Sequence, residues 1–314
     1  RRIRKYRMEQ RISQLIIFIL VAFSLLYGVG SYEILNFPLD TRSLSLHNAS
    51  SAYDRDELRN NPASLSMNAK KIVYSYLILP AGIYSGQIQR VRKFGSSIYA
   101  GKLSYISYGS IIDGKTNKKT TAYDMIWEIA CKKEVENIVS IGISGGYLMS
   151  YISGYHSQLL YTNIGLRSRM MRKRIGLGFS LENIGFHLNS YTDVKEPIPT
   201  IFRSAIYYMP KYLPVIISFD IIRSLNRDAT KLSGSLEFNP GKRLTFRVGC
   251  SSNRIDFLTG GGSGLNTPEL RSNLLAAISG GAGFQFNKMN LDVGFMNLGA
   301  AGYVVGFSIS KKID

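Results

Sequence analysis

The chain has 314 residues, with 39 Lys and Arg against 21 Asp and Glu, a formal net charge of +18 and 45% hydrophobic residues. That length allows two soluble domains or one large barrel, and no run after residue 30 is long and apolar enough for a membrane helix. The basic residues are spread over turns and polar faces with no aromatic-interleaved patch, which points away from nucleic acid and towards anionic lipid headgroups or lipopolysaccharide.

The first thirty residues read as a signal peptide. Arg1, Arg2, Arg4, Lys5, Arg7 and Arg11 form a basic region, an apolar stretch over 15–27 follows, and Gly28-Val29-Gly30 supplies small residues before a cut. A retained anchor is the alternative, although thirteen apolar residues are short for a span. Residues 31–69 are expected to form an N-terminal hatch or plug. They lack strand alternation and carry turn formers at Pro38 and at Asn60-Asn61-Pro62, with a charged stretch over 54–59 that could make one or two helical turns.

From residue 70 to the end the pattern changes to a period of two. Ile217, Phe219 and Ile221 alternate with Ser218 and Asp220, and Leu244, Phe246, Val248 and Cys250 alternate with Thr245, Arg247 and Gly249. Such spacing sets one face of each strand in an apolar medium and the other against polar groups. Fourteen strands are predicted, at 70–79, 83–93, 96–108, 119–132, 138–149, 157–169, 173–184, 199–210, 214–225, 230–239, 243–252, 273–286, 290–297 and 302–311. An even number of long strands, with tight turns alternating with longer loops at 113–118, 191–197 and 256–272, predicts an all-β fold. The fold class is a transmembrane antiparallel β-barrel over 70–314 in a Gram-negative outer membrane.

Chemistry is sparse. His47, His156 and His187 are too few and too scattered for a histidine metal site, and adjacent His156 and Ser157 point to opposite strand faces. No enzyme activity, cofactor or metal is expected. Cys131 and Cys250 lie on apolar phases, as small apolar residues or, alternatively, a disulfide. The glycine run 260–264 lacks the strand-turn-helix setting of a phosphate loop. Lys102, Asp124, Glu128, Arg167, Glu182, Asp220, Glu237 and Arg247 share the polar phase of their strands. They are candidates for a charge network across the lumen, or for a ligand lining. Asn61, Pro62 and Ala63 are the candidate hatch motif, or a simple turn into the first strand.

Several segments resemble, in order, the PorV/PorQ family of barrels. Residues 32–38 read YEILNFP, 41–46 TRSLSL and 61–65 NPASL, against an opening of the form FLN-x-P, x-AR-x-A-x-LGG and NPA-x-L. SYGS at 107–110, GFSLENIG at 178–185, EPIP at 196–199, GSLEF at 234–238 and RVG at 247–249 continue the match. His47-Asn48 stands where that family has two glycines, which puts the tight bend there in doubt. The resemblance implies a barrel similar to the FadL fatty-acid transporters and a place in type IX secretion. The partners would then be the secretion machinery and cargo proteins with C-terminal signal domains. The alternative function is a FadL-like channel for hydrophobic small molecules.

Overall fold

The structure is a computed structural model that describes residues 32–54, 57–66, 70–112, 119–135, 138–193, 195–227, 229–241, 243–252 and 277–313. The expected signal peptide, the loops over 113–118 and 256–272 and the glycine run 260–264 lie outside those residues.

Fourteen strands run β1(Lys71–Ile78), β2(Tyr84–Phe94), β3(Ser97–Ile112), β4(Lys119–Val135), β5(Val139–Ile152), β6(Tyr155–Met170) and β7(Ile175–Asn189), then β8(Ile201–Tyr208), β9(Val215–Ser224), β10(Thr230–Phe238), β11(Leu244–Ser251), β12(Ile278–Phe286), β13(Met289–Asn297) and β14(Tyr303–Lys312). Each pairs antiparallel with its sequence neighbours, and β1 closes on β14 from Lys71↔Lys312 to Ile78↔Val305. Closure leaves no edge strand, so each strand is paired on both sides within the wall, the condition for crossing hydrocarbon. The start of β1, the end of β14 and the short turns, such as 95–96 and 287–288, share one end, as periplasmic turns do. We call it the turn end and the other the loop end. β3 to β7 are 14 to 17 residues long, against about 9–11 needed to cross, so on that side the wall stands above the membrane at the loop end.

The outer wall carries the apolar phase: Phe219 and Val248 are exposed, whereas Asp220 and Arg247 one residue away are buried. Stacked rings at Tyr105, Tyr123 and Tyr151 mark the loop-end interface. Cys131 and Cys250 are both free and also lie on the outer phase, so the disulfide alternative is corrected.

The interior is filled by residues 32–66. A short helix, α1 (Thr41–Ser45), is capped by Asp40, whose Oδ1 accepts from Ser43 N at 2.7 Å. It packs against β11 to β14 and β1, while a single turn at Pro62–Ser64 packs against β4 to β6. Leu44, Leu46, Leu58 and Leu65 are at most 2% exposed. The helical turn or two that the charged stretch 54–59 could make does not form among the described residues there, which are irregular; Asp54 is held by strand arginines. The bend at His47-Asn48 forms without glycine, since both residues take left-handed φ, 49° and 61°. Asn tolerates that region, but for His it is strained, and tertiary contacts hold it.

Candidate functional site: a plugged lumen

The inner wall meets residues 32–66 through three ionic clusters. In the first, Arg203 of β8 is 1% exposed, with Nε and Nη2 on the Glu182 carboxylate at 2.8 and 3.2 Å and Nη1 3.5 Å from Asp220. Asp220 also accepts from the backbone N–H of Ser50 at 3.0 Å and of Ser51 at 3.2 Å, and Arg203 donates to the Asn48 carbonyl at 3.3 Å. Wall and interior segment are thus latched by charge-assisted bonds, the stronger kind. In the second, Arg42 of α1 grips Glu237 at 3.0 and 3.2 Å, and Arg247 bridges Glu237 at 2.9 Å to Asp292 at 2.5 Å. The third joins Asp54 to Arg167 and Arg169, Arg169 to Glu134, and the Lys132 ammonium to the Leu65 carbonyl.

The remaining candidates sit apart from these. Lys102 and Glu128 pair at 2.5 Å, with Ser144 and Asn163 donating to Glu128 at 2.8 and 3.1 Å. Asp124 has no cation partner among the described residues; the Tyr108 hydroxyl donates to it at 2.6 Å and Ser150 is its second donor. The structure therefore brings together Lys102 with Glu128, Glu237 with Arg247, and Glu182 with Asp220 through Arg203, while Arg167 faces the interior segment. Asn61 caps its own turn by accepting from Ala63 N at 3.0 Å, and its amide donates to the Leu166 carbonyl at 3.3 Å. Gly142 and Gly165 make room for that turn. A Cβ at Gly142 would strike the backbone of Pro62 and Ala63, and one at Gly165 would strike Asn61.

Sequence reading missed Arg42, Asp54, Arg169 and Arg203. Arg169 and Arg203 stand on the inward phase of β6 and β8 and could have been found there. Arg42 and Asp54 carry no periodic signal, because Arg42 lies in a helix of only five residues and Asp54 in irregular chain.

Burial and contacts tune several groups in the interior segment. Burial outweighs everything else at His47, 4% exposed with Lys231 facing it, and lowers its pKa to about 3. Burial, then Asp40, raises Glu57 to about 7. Burial works against the Arg42 charge, yet Glu237 more than offsets it and the pKa rises. At Arg59 burial prevails over the help of Asp40, 3.5 Å away, and the pKa falls.

Polar-inside alternation gives way to four apolar clusters among the described residues, and the largest lies at the loop end. Ile106, Ile126, Leu148 and Leu159 of β3 to β6 point inward and form an apolar cluster with Tyr161, Ile198, Tyr32 and Leu39. Ile34, Leu35 and Phe37 cover it, so residues 32–39 lie like a strip over a greasy patch of the loop-end lumen. A mouth of about 380 Å³, lined by Tyr32, Ile34, Tyr108, Tyr151, Ile152 and Tyr191, opens beside it. A more polar recess of about 540 Å³ lies between the same strip and β8 to β10, with Glu33, Arg203, Arg227 and Lys231 on its walls.

Solved structures match this architecture along nearly its whole length. The fold is that of the FadL-like outer-membrane channels. A TodX monoaromatic hydrocarbon channel mutant superimposes with a TM-score of 0.58 and 12% identity, over 88% of this chain and 100% of that one. The P. putida toluene transporter TodX gives 0.54 and 12%, over 92% and 99%. A Pseudomonas aeruginosa FadL homologue gives 0.55 and 10%, over 92% and 100%. At such identities the likeness concerns the fold. No protein-family model matches the chain, and no curated protein is similar to it in sequence. The comparisons thus support the FadL-like part of the resemblance and do not single out PorV/PorQ. The neighbours are described as monoaromatic hydrocarbon channels and a toluene transporter.

Proposed function

We propose that the protein is an outer-membrane channel for hydrophobic small molecules, with residues 31–69 as its plug. The observation that carries this reading is the inward apolar patch of Ile106, Ile126, Leu148 and Leu159 beneath residues 32–39. Apolar side chains on the inner face of a barrel oppose its usual polarity, and this patch is the largest of the inner-wall clusters and lies beside the open Tyr108–Tyr151 mouth. In this reading an apolar solute enters by the Tyr108–Tyr151 mouth, displaces the 32–39 strip and takes over its contacts. The named neighbours, a toluene transporter and monoaromatic hydrocarbon channels, are compatible with that class of cargo.

A second reading has its own support. The ordered segments from residue 32 to residue 249 resemble PorV/PorQ barrels, and the ionic clusters tie the plug to the wall on several sides, which suits a closed scaffold for secreted proteins with C-terminal signal domains. Export through the signal peptide and contact with lipid or lipopolysaccharide belong to both. A deletion strain separates them. The channel reading expects lost uptake of a labelled apolar compound, restored by the intact gene and not by I126E/L148E, with an unchanged secreted proteome. Intact uptake with altered secretion or surface attachment would overturn it.

A further inference from the structure

Most lumen charges have partners, and the turn end carries in addition a rim of exposed lysines. Lys70, Lys93, Lys133, Lys173, Lys211 and Lys312 are exposed there, and the nearby carboxylates Asp54 and Glu134 are already occupied by Arg167 and Arg169. Outward Lys133 and Lys311 lie close to their strand ends in this basic rim, whereas one pair of cations reaches further up the apolar outer wall. Arg90 and Arg92 of β2 lie on the outward phase, in line with Ile88, and both are exposed. Neither has a carboxylate partner among the described residues. Arg90 is four residues from the strand end at Phe94, which at ~3.3 Å per residue and a tilt of ~40° places it about 10 Å above the turn. An unpaired guanidinium at that depth is costly against hydrocarbon unless its head reaches a headgroup.

What lies beside the pair is a groove. Reading across the ladder, Arg90 faces Gly101, Gly101 faces Ile129, Ile129 faces Gly145 and Gly145 faces Thr162. A Cβ on Gly101 or Gly145 would meet nothing within 4 Å, so both positions are gaps in the outer surface on either side of Ile129. The resulting depression, about 760 Å³, has Arg90 and Arg92 at one end and Tyr99, Ile129, Cys131 and Ile143 along its sides. Away from the arginine end its lining is largely apolar, with Ser144 and Thr162 as the polar exceptions.

We propose that this groove binds one anionic glycerophospholipid of the turn-side leaflet, its phosphate held between Arg90 and Arg92 and an acyl chain laid along the Gly101–Gly145 gaps. Charge complementarity selects the occupant. The site pairs two unmatched cations with an apolar trough on a face that only lipid can reach, and planar guanidinium forks suit phosphate oxygens. The turn end selects the leaflet, and with it phospholipid over lipopolysaccharide. The site requires an outer-membrane barrel in this orientation, and it is independent of what the lumen carries.

The test uses the full barrel purified in detergent and challenged with phosphatidylglycerol, phosphatidylcholine or lipopolysaccharide. Retained lipid is counted by native mass spectrometry, and heat modifiability on gels reports folding. R90Q/R92Q should retain phosphatidylglycerol at least tenfold less well than wild type, as expected for losing two close cations. G145L should lower retention with both arginines in place. K133Q/K173Q, which removes as many charges from the same rim, should leave the single tight lipid. Equal loss in R90Q/R92Q and K133Q/K173Q would overturn the proposal in favour of diffuse attraction. Unchanged retention in R90Q/R92Q, equal retention of phosphatidylcholine, or preference for lipopolysaccharide would overturn it as well. If G145L does not fold, G101A, a smaller filling of the same groove, takes its place.

Discussion

Replacing Arg203 by methionine should release the plug without opening the barrel. Arg203 is almost fully buried between two carboxylates that are themselves 3% and 0% exposed, and its Nη1 also holds the Asn48 carbonyl. Methionine keeps much of the volume but takes away the guanidinium that sits between buried Glu182 and Asp220. Removing one partner of a buried ionic cluster costs about 3–5 kcal/mol, because the stranded charges stay desolvated. The wall itself is held by continuous antiparallel ladders on both sides of β8, so the cheapest relief is to let water in by moving the segment around Asn48 to Ser51. Hydrogen exchange and limited proteolysis of the detergent-solubilised barrel should show residues 32–66 losing protection while heat modifiability persists. Arg203→Lys, a point charge without the fork geometry, should fall between. In R203M/E182Q/D220N the stranded charges are gone, and exposure should drop below that of R203M, though Ser50 and Ser51 still lose their charged acceptor. Plug protection in R203M equal to wild type would refute the latch.

Phe219→Arg and Val248→Arg, both on the outer wall, should each cost roughly 2–4 kcal/mol in folding assays in bilayers, while Thr245→Lys, half-buried beside Asn239 at a strand end, should stay within about 1 kcal/mol. Asp220→Asn lies on the inner phase too, but it should loosen the plug because its carboxylate binds Ser50 and Ser51. Gly165→Ala should displace the Asn61-Pro62-Ala63 turn and expose it to protease, whereas Gly86→Ala, where a Cβ meets nothing, should not. Between pH 4.5 and 6.5 plug protection should be nearly flat in wild type, fall with acid in Glu57→Gln and rise with acid in His47→Asn.

The wall was legible in the sequence because a period of two is written residue by residue. Every strand of the structure overlaps one expected from alternation, and Phe219, Val248 and Cys250 face outward in the expected register. Where apolar residues occupied both phases, as at Leu148 and Leu159, alternation said nothing about the patch they form inside, because an inward Leu looks like any strand Leu. The plug was the harder part. Its helix is five residues long and held by Asp40 and by packing against β11 to β14, so no periodic pattern announces it. The charged stretch near Asp54 looked helical only because local spacing was the sole guide; its actual partners, Arg167 and Arg169, are more than a hundred residues away. Likewise the cradle glycines Gly142 and Gly165 read as strand weakeners until the turn they accommodate is in view.

The flat pH response follows from two plug groups that titrate in opposite senses. His47 has its pKa depressed from 6.5 to about 3, so the docked plug binds fewer protons there than a released one. Its docking contribution is present above pH 6.5 and is lost as acid is added, at about 1.4 kcal/mol per pH unit. Glu57 has its pKa raised from 4.5 to about 7, so the docked plug binds more protons. That contribution is present below pH 4.5 and is lost as pH rises towards 7, with a slope of the same size and opposite sign. Between 4.5 and 6.5 the slopes cancel, and only removing one group exposes the other. Glu57→Gln then leaves His47 to weaken docking by about 2 kcal/mol between pH 6.5 and 5, and His47→Asn leaves Glu57 to strengthen it over the same range. Asn is the suitable replacement because it accepts the left-handed backbone of position 47 with less strain. The same pH response in wild type and both variants, read as protease protection of residues 32–66, would show that neither group senses whether the plug is docked.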